Sequence, residues 1–143
     1  MKIWIASDHA GFELKSALKR AFPNWKLHDL GPSTEDRTDY PVWADALAAA
    51  MKGTADLGIL ICGSGQGMCM RANRYPHLRA ALCWEPSVAK LARQHNDANV
   101  LCLGSRNTPI DQAIPIVEAF FGTSFEGGRH IPRVEKLSKP LKD

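Results

Sequence analysis

Apolar residues fall into short unbroken runs along this chain, separated by longer stretches in which they recur every three or four positions. The runs predict five strands, at 2–6, 26–29, 57–61, 79–83 and 99–103. The periodic stretches predict a helix at 11–22 and helices that begin near residues 40, 66, 85 and 109. A basic segment at 129–142 predicts one more helix at the end of the chain.

Strands that alternate with helices form a parallel sheet covered on both faces. We therefore predict a single α/β domain over residues 1–143, a Rossmann-like three-layer fold with a five-stranded parallel sheet and a C-terminal helix packed outside it or on a partner. In such sheets ligands bind beyond the carboxyl ends of the strands, where the strand order reverses. If the order is 2-1-3-4-5, the reversal lies between strands one and three. Reactive side chains are densest directly after these two strands, at 7–11 and 62–65.

The third predicted strand ends in Cys62, and glycines follow at the alternate positions Gly63, Gly65 and Gly67. Without a Cβ at three alternate positions, the backbone N–H groups of this loop can converge on one point. A helix that begins near Gln66 adds the positive end of its dipole. The loop is therefore a candidate anion site with a thiol at its edge, although a buried cysteine at a strand end is often only a small apolar residue.

Three better-known glycine-rich loops do not fit this sequence. A Walker A loop has Lys after its last glycine, whereas Gly63 is followed by Ser64. A dinucleotide fingerprint reads G-x-G-x-x-G, and here the spacing is G-x-G-x-G. A cysteine phosphatase has Arg six positions after its nucleophile, where this chain has Met68. The composition thus indicates phosphate or oxyanion binding by a different mechanism.

Composition and charge exclude several classes of function. A hydrophobic content of 45% and a charged content of 23% are typical of globular proteins. The net charge of +3 is spread along the chain, which is too little to indicate nucleic-acid binding but suits a small acidic substrate. No apolar run reaches membrane-spanning length, and the chain opens on a strand-like run, so we expect a cytoplasmic protein without a secretory signal. The four cysteines form no C-x-x-C pair, which predicts reduced thiols and neither a zinc site nor disulfides.

Several polar residues each allow a structural or a functional interpretation. Asp8 could cap the first helix with His9 as a turn residue, or both could face a ligand. His95 lies on the apolar stripe of its helix, where a histidine is more often structural, but a polar cluster at 96–99 follows it. Tyr40 could simply hold the start of its helix.

The basic residues near the end of the chain also allow either a structural or a functional interpretation. Arg129 and Arg133 are four positions apart, so on a helix they would share one face and could grip a phosphate together. Alternatively they belong to a solvated basic tail. Arg106, after Gly104-Ser105, allows the same two interpretations.

Taken together, six motifs resemble those of the type B ribose-5-phosphate isomerases in order and spacing, over roughly residues 2 to 136. The motifs are Asp8-His9-Ala10-Gly11, Asp39-Tyr40-Pro41, Cys62-Gly63-Ser64-Gly65-Gln66-Gly67, Arg93-Gln94-His95-Asn96-Asp97-Ala98-Asn99, Gly104-Ser105-Arg106 and Gly127-Gly128-Arg129-His130 with Arg133. The resemblance implies an aldose–ketose isomerase that interconverts D-ribose 5-phosphate and D-ribulose 5-phosphate through ring opening and a cis-enediolate, without metal or cofactor. It also implies a homodimer, possibly paired into a tetramer, with an active site shared across the dimer interface.

The resemblance implies a role for each matched residue. Cys62 would be the base that moves a proton between C1 and C2, and His95, supported by Asp8, would open the furanose ring. Ser64 and the loop amides would bind the enediolate. The remaining matched residues would contact substrate: His9, Arg129 and Arg133 at the phosphate, Arg106 at the phosphate from the neighbouring subunit, Tyr40 and Asn96 at sugar hydroxyls, and Gly63, Gly65, Gln66 and Gly67 along the loop.

Some members of that family have a glutamate base where this chain has Met68, which leaves Cys62 as the only candidate base in the loop. Two alternatives remain open. One is the same chemistry on a six-carbon phosphosugar such as allose or galactose 6-phosphate. The other is a non-catalytic phosphosugar- or nucleotide-binding module, against which the thiol argues because binding alone does not require it.

Overall fold

A computed structural model describes residues 1–142 of the chain. Its strands all belong to one parallel sheet and are β1 Ile3–Ser7, β2 His28–Gly31, β3 Leu57–Cys62, β4 Ala80–Leu82 and β5 Val100–Gly104. Its α-helices are α1 Phe12–Ala21, α2 Tyr40–Met51, α3 Gln66–Ala72, α4 Pro86–Asn96, α5 Ile110–Phe121 and α6 Ile131–Leu137. Short 3-10 helices occupy Pro23–Trp25 and Gly128–His130. Of the helices within residues 1–142, none is both long and apolar enough to span a membrane.

The two faces of β3 explain why the sheet is covered on both sides. All six of its residues are buried, and Ile59 and Ile61 pack in a cluster with apolar residues of α1, α4 and α5. Leu60 and Cys62, on the opposite face, pack in a second cluster with residues of α2 and α3. Alternation of side chains along a strand therefore places helices on both faces, as the apolar runs predict. The α/β three-layer prediction is confirmed.

The strand order is 2-1-3-5-4, so the order 2-1-3-4-5 is wrong in its last two strands. β5 pairs with β3 along its whole length and is buried at every residue, whereas β4 has three half-buried residues and lies at the edge. The more apolar strand takes the central position because both of its faces are covered there. The reversal between β1 and β3 is unaffected, and Ser7 pairs with Ile61 at the carboxyl edge of the sheet.

Several helix boundaries differ from the predicted ones. The pair Thr108-Pro109 predicts an N-cap followed by a proline at the first helical position, but α5 begins at Ile110, and Pro109 takes the cap position. Thr108 is instead buried, and its N–H bonds to the carbonyl of Gly104. The last helix is also much shorter than 129–142, because Arg129 lies in a 3-10 turn before α6 and the helix ends at Leu137.

Candidate active site

Cys62 is the last residue of β3, and its thiol is held at the start of the glycine loop. The side chain is almost fully buried, and the N–H of Gly65 donates to its Sγ at 3.2 Å. Gly65 has a φ of +76°, and a Cβ there would lie 2.6 Å from Leu82 Cδ1. Only glycine can therefore bring this N–H to the sulfur without strain. The hydrogen bond fixes the position of the sulfur at the carboxyl end of β3.

The turn after β5 supports the glycine loop. The N–H groups of Ser105 and Arg106 donate to the carbonyls of Cys62 and Gly63 at 2.9 and 3.0 Å. The guanidinium of Arg106 lies over Gly63, where an added Cβ would be 3.0 Å from its Nη1. Arg106 is exposed, so it adds a positive charge to the loop of its own protomer.

Ser64 and Gln66 lie on the outer side of the loop, and both are exposed. The hydroxyl of Ser64 accepts the N–H of Gln66 at 3.4 Å, a long bond that leaves this hydroxyl available to a ligand. Tyr40 comes from the start of α2 and covers Gly67, because a Cβ on that glycine would lie 2.7 Å from the tyrosine hydroxyl. A phenol hydroxyl thus faces the first turn of α3.

Asp8 and His9 follow β1, next to the loop. Asp8 is not the N-cap of α1, because Gly11 takes that position; the buried Asp8 carboxylate accepts the N–H of Gly11 at 3.0 Å and holds the turn that precedes the helix. Nδ1 of His9 lies 3.3 Å from the N–H and 3.2 Å from the carbonyl of Thr38, so its tautomer decides which of the two it binds. Either bond leaves Nε2 of His9 free for a ligand.

The other predicted site residues lie at the opposite edge of the sheet. His95 and Asn96 end α4, which runs antiparallel to the strands, and only residues 97–99 separate this helix from β5. The five residues of β5 then extend about 13 Å to Gly104, beside the loop. Arg129 and Arg133 accompany His95, because His130, between them, stacks on the His95 ring. Within one chain, therefore, Cys62 and His95 are not brought together.

The polar cluster after His95 is largely structural. Asp97 accepts from Arg93 at 3.1 Å, and Asn99 accepts the N–H of Arg79 at 2.7 Å. These bonds fix the turn from α4 into β5, in which Asp97 takes a left-handed conformation. Asn96 is exposed, so it is the member of the cluster that a ligand could reach.

His130 lies beside His95, Arg129 and Arg133 but is absent from the predicted site residues. Its ring is parallel to that of His95, with centroids 4.4 Å apart, and its side chain is only 7% exposed. Burial lowers the pKa of His130, and the neighbouring His95 ring and Arg129 guanidinium act in the same direction. Its position in the Gly-Gly-Arg-His motif is the sequence feature that could have identified it as a site residue. Its carboxylate neighbour Glu126 completes a set of ligand atoms within 4.8 Å of one another that could hold a metal.

The fold and the site define a sugar-phosphate isomerase. The model of the Ribose/Galactose Isomerase family matches residues 3–137, and the chain belongs to this family. It is 50% identical to the probable ribose-5-phosphate isomerase B of Mycoplasma pneumoniae over 139 residues, which cover 94% of this chain and 91% of the relative. It is 44% identical to ribose-5-phosphate isomerase B of Escherichia coli K12 over 140 residues, 96% of this chain and 94% of the relative.

A solved structure shows the same fold. The crystal structure of ribose-5-phosphate isomerase B from Mycoplasma genitalium with bound ribulose 5-phosphate superposes with a TM-score of 0.89 at 44% sequence identity. The match covers 96% of this chain and 93% of that one. The resemblance inferred from the motifs is confirmed.

Proposed function

We propose that this chain is an aldose–ketose isomerase that interconverts D-ribose 5-phosphate and D-ribulose 5-phosphate. The observation that carries the proposal is the hydrogen bond from Gly65 N–H to Cys62 Sγ, which fixes a thiol at the start of the glycine loop with a backbone donor directed at its sulfur. The names of the relatives support the reaction, and the bound ribulose 5-phosphate of the Mycoplasma genitalium enzyme supports the substrate.

The chemistry requires a base and a place for negative charge. The Cys62 thiolate takes the proton from C2 of the open-chain aldose, the electron pair of that C–H bond forms the C1–C2 double bond, and the carbonyl pair moves onto O1 to give a cis-enediolate. The O2 hydroxyl proton is then transferred to O1, and return of the carbon-bound proton to C1 leaves the carbonyl at C2 and gives the ketose. Ser64 and the N–H groups of the glycine loop stabilise the charged oxygen, and preorganised donors of this kind contribute roughly 3 to 4 kcal/mol each in the transition state.

Proton transfer within one molecule consumes no electrons, so the proposed reaction needs no redox cofactor. The enediolate charge can be stabilised by the loop donors and Arg106, so we propose metal-independent catalysis as well. We retain a cytoplasmic location as part of the same proposal.

The active site requires two copies of the chain. Ring opening by His95 must occur on the same sugar whose carbon is deprotonated by Cys62, but the two residues lie at opposite edges of one sheet. A homodimer that sets the carboxyl edge of one protomer against the amino edge of its partner joins them. Next to a given Cys62, the partner would then supply His95, Arg129 and Arg133.

Arg106 takes a different place in this arrangement from the one implied by the resemblance. It lies over Gly63 of its own chain, so we assign it to the thiol half of the site together with His9 and Tyr40. The substrate phosphate would lie between His9 of one subunit and the two arginines of the other. Whether two dimers pair into a tetramer does not affect this assignment.

The decisive experiment measures conversion of ribose 5-phosphate in the presence of a chelator by the wild-type enzyme and by Cys62→Ala. We expect turnover in chelator for the wild type and loss of more than 99% of it for the variant, because a missing base and a missing thiolate charge each cost orders of magnitude. Cys69→Ala, which removes another thiol near the loop, is the matched control and should stay active. A tenth of wild-type activity in Cys62→Ala would overturn the role of the thiol.

The same assay distinguishes the six-carbon alternative. We expect a higher kcat/KM on ribose 5-phosphate than on allose or galactose 6-phosphate. The opposite order would assign the chain to a six-carbon phosphosugar, and ligand-induced stabilisation without any turnover would indicate a binding module.

A further inference from the structure

Three side chains from three segments converge at the amino edge of the sheet. His95 ends α4, Glu126 lies in the loop after α5, and His130 belongs to the 3-10 turn before α6. Oε2 of Glu126 is 3.9 Å from Nε2 of His95 and 3.5 Å from Nε2 of His130. All three ligand atoms lie within 4.8 Å of one another. Two ligands of a tetrahedral zinc ion are about 3.3 Å apart, so small side-chain rotations would complete such a site.

His130 gives an independent sign that something is bound here. Its side chain is only 7% exposed, and among residues 1–142 its Nε2 has no hydrogen-bond partner. A buried polar atom without a partner costs free energy, and an ion at the centre of the cluster would satisfy it. The nearest carboxylate oxygen is Oε2 of Glu126 at 3.5 Å, so the unpaired nitrogen lies within the cluster.

The backbone holds the three segments together. The N–H of Glu126 donates to the carbonyl of Gln94 at 3.1 Å, which ties the loop to α4 one residue before His95. His130 is anchored by the bond from its own N–H to the carbonyl of Gly127. His95 and Glu126 are 38% and 48% exposed, so their side chains can turn toward an ion. The two stacked imidazole rings must move apart slightly so that one nitrogen of each can point at the ion.

The donor set selects the kind of ion. Two imidazoles and one carboxylate suit borderline transition metals such as Zn²⁺ or Co²⁺, whereas Mg²⁺ and Ca²⁺ prefer oxygen ligands. The exposed guanidinium groups of Arg129 and Arg133 flank the cluster and weaken the binding of any cation. The expected complex is therefore reversible, and a chelator should remove the ion.

We propose that His95, Glu126 and His130 form a binding site for a divalent transition metal, whose occupation inhibits the isomerase. The inhibition rests on the proposed function, in which Nε2 or Nδ1 of His95 exchanges a proton with the ring oxygen of the sugar. A metal ion on this imidazole takes the lone pair needed for that transfer.

Binding is tested separately from activity by titrating the chelator-treated enzyme with CoCl₂ and following the visible absorption of the bound ion. We expect saturation at one Co²⁺ per chain, at least tenfold weaker binding for Glu126→Gln, and unchanged binding for His28→Gln, an exposed histidine far from the cluster. A thiolate-to-cobalt charge-transfer band, which indicates cysteine ligands, or equal affinities of wild type and Glu126→Gln would overturn the site.

His130→Gln should weaken binding to a similar extent, but this residue is buried and its replacement can unfold the chain. A thermal melt of the variant identifies that case. Glu126→Gln then carries the test alone, because nearly half of the Glu126 side chain is exposed and its loss leaves no cavity.

Inhibition is tested by adding ZnCl₂ to the ribose 5-phosphate assay, with each variant normalised to its own rate in chelator. We expect a fall in wild-type turnover that chelator reverses, and at least a tenfold higher inhibitory concentration for Glu126→Gln. An active enzyme that binds Co²⁺ but is not inhibited would overturn the regulatory part. A chain that binds the ion but never isomerises the sugar would overturn the proposed function and leave the metal site in place.

Discussion

The N–H of Gly65 points at the sulfur of Cys62 and donates to it at 3.2 Å. This bond joins the fold to the proposed chemistry, because the same left-handed residue caps the start of α3 and directs a donor to the base. The thiolate and the enediolate therefore depend on one backbone conformation at the end of β3.

Gly65→Ala tests this dependence, and Gly53→Ala is a matched control. Both glycines have positive φ, +76° and +73°, but a Cβ at Gly65 would meet Leu82 and Leu103 within 3 Å, whereas none of the described atoms lies within 4 Å of one at Gly53. We expect each variant to lose about 1 to 2 kcal/mol of unfolding free energy from the φ alone. Only Gly65→Ala should also lose kcat, by at least tenfold, since its loop must shift away from the sulfur.

Chemical denaturation and steady-state kinetics on ribose 5-phosphate measure the two effects. Full kcat in Gly65→Ala would contradict the role of this N–H in holding the base. A similar loss of kcat in Gly53→Ala would mean that loss of stability alone explains the result.

A shared active site predicts complementation between two inactive variants. In a dimer of one Cys62→Ala chain and one His95→Ala chain, one site combines both substitutions, and the other combines the intact Cys62 with the intact His95. Random exchange makes half of the dimers mixed, so mixing should restore about a quarter of wild-type turnover.

The variants are mixed after mild denaturation and refolding, and each alone is treated identically as a control. No recovery, together with mixed dimers detected by mass spectrometry of differently tagged chains, would show that both residues act within one chain. The edge-to-edge arrangement would then be wrong.

The direction of the reaction separates ring opening from proton transfer. Ribulose 5-phosphate carries its phosphate on the hydroxyl that would close a furanose, so it remains open. We expect His95→Ala to lose at least a hundredfold in kcat on ribose 5-phosphate and much less on ribulose 5-phosphate, because only the first substrate needs its ring opened. Initial rates in both directions measure the difference, with His28→Gln as the control variant. Equal losses in the two directions would contradict the role of His95 as the ring-opening residue.

Asp29 at the end of β2 gives a prediction on stability and pH. Lys15 is 1% exposed and donates to Asp29 at 2.8 Å and to the carbonyl of Pro32 at 2.6 Å. Burial alone would raise the pKa of Asp29, but hydrogen bonds from Lys15, Lys19 and the N–H of Gly31 outweigh it, and the net effect lowers the pKa. The free energy of this pairing is therefore fully present above the unfolded pKa of about 3.9 and is lost as the pH falls through the folded value.

Asp29→Asn should cost about 3 kcal/mol of unfolding free energy at pH 7, because it leaves the buried ammonium of Lys15 without its counter-charge. The difference from wild type should shrink below pH 4. Urea unfolding at a series of pH values measures it. Asp36→Asn, at an exposed aspartate whose partner is the Thr34 hydroxyl, should change little at any pH. A difference that grows toward acid would contradict the sign derived for Asp29.

The sequence alone determined the class of fold, the glycine loop and the family. An unbroken apolar run predicts a buried strand such as β3, and apolar residues that recur along one face predict an amphipathic helix. Both patterns can be recognised within a short stretch of sequence. The motif Cys62–Gly67 specifies its own geometry because its glycines permit a backbone that other residues do not.

The tertiary structure decided the relations between distant segments. The exchange of β4 and β5 depends on which strand buries more of its two faces, and this is a property of the whole sheet. The separation of His95 from Cys62 follows from the direction in which α4 crosses the sheet. His95, Glu126 and His130 converge from positions up to 35 residues apart, and no local spacing encodes such a cluster, because long-range packing alone determines which loops meet.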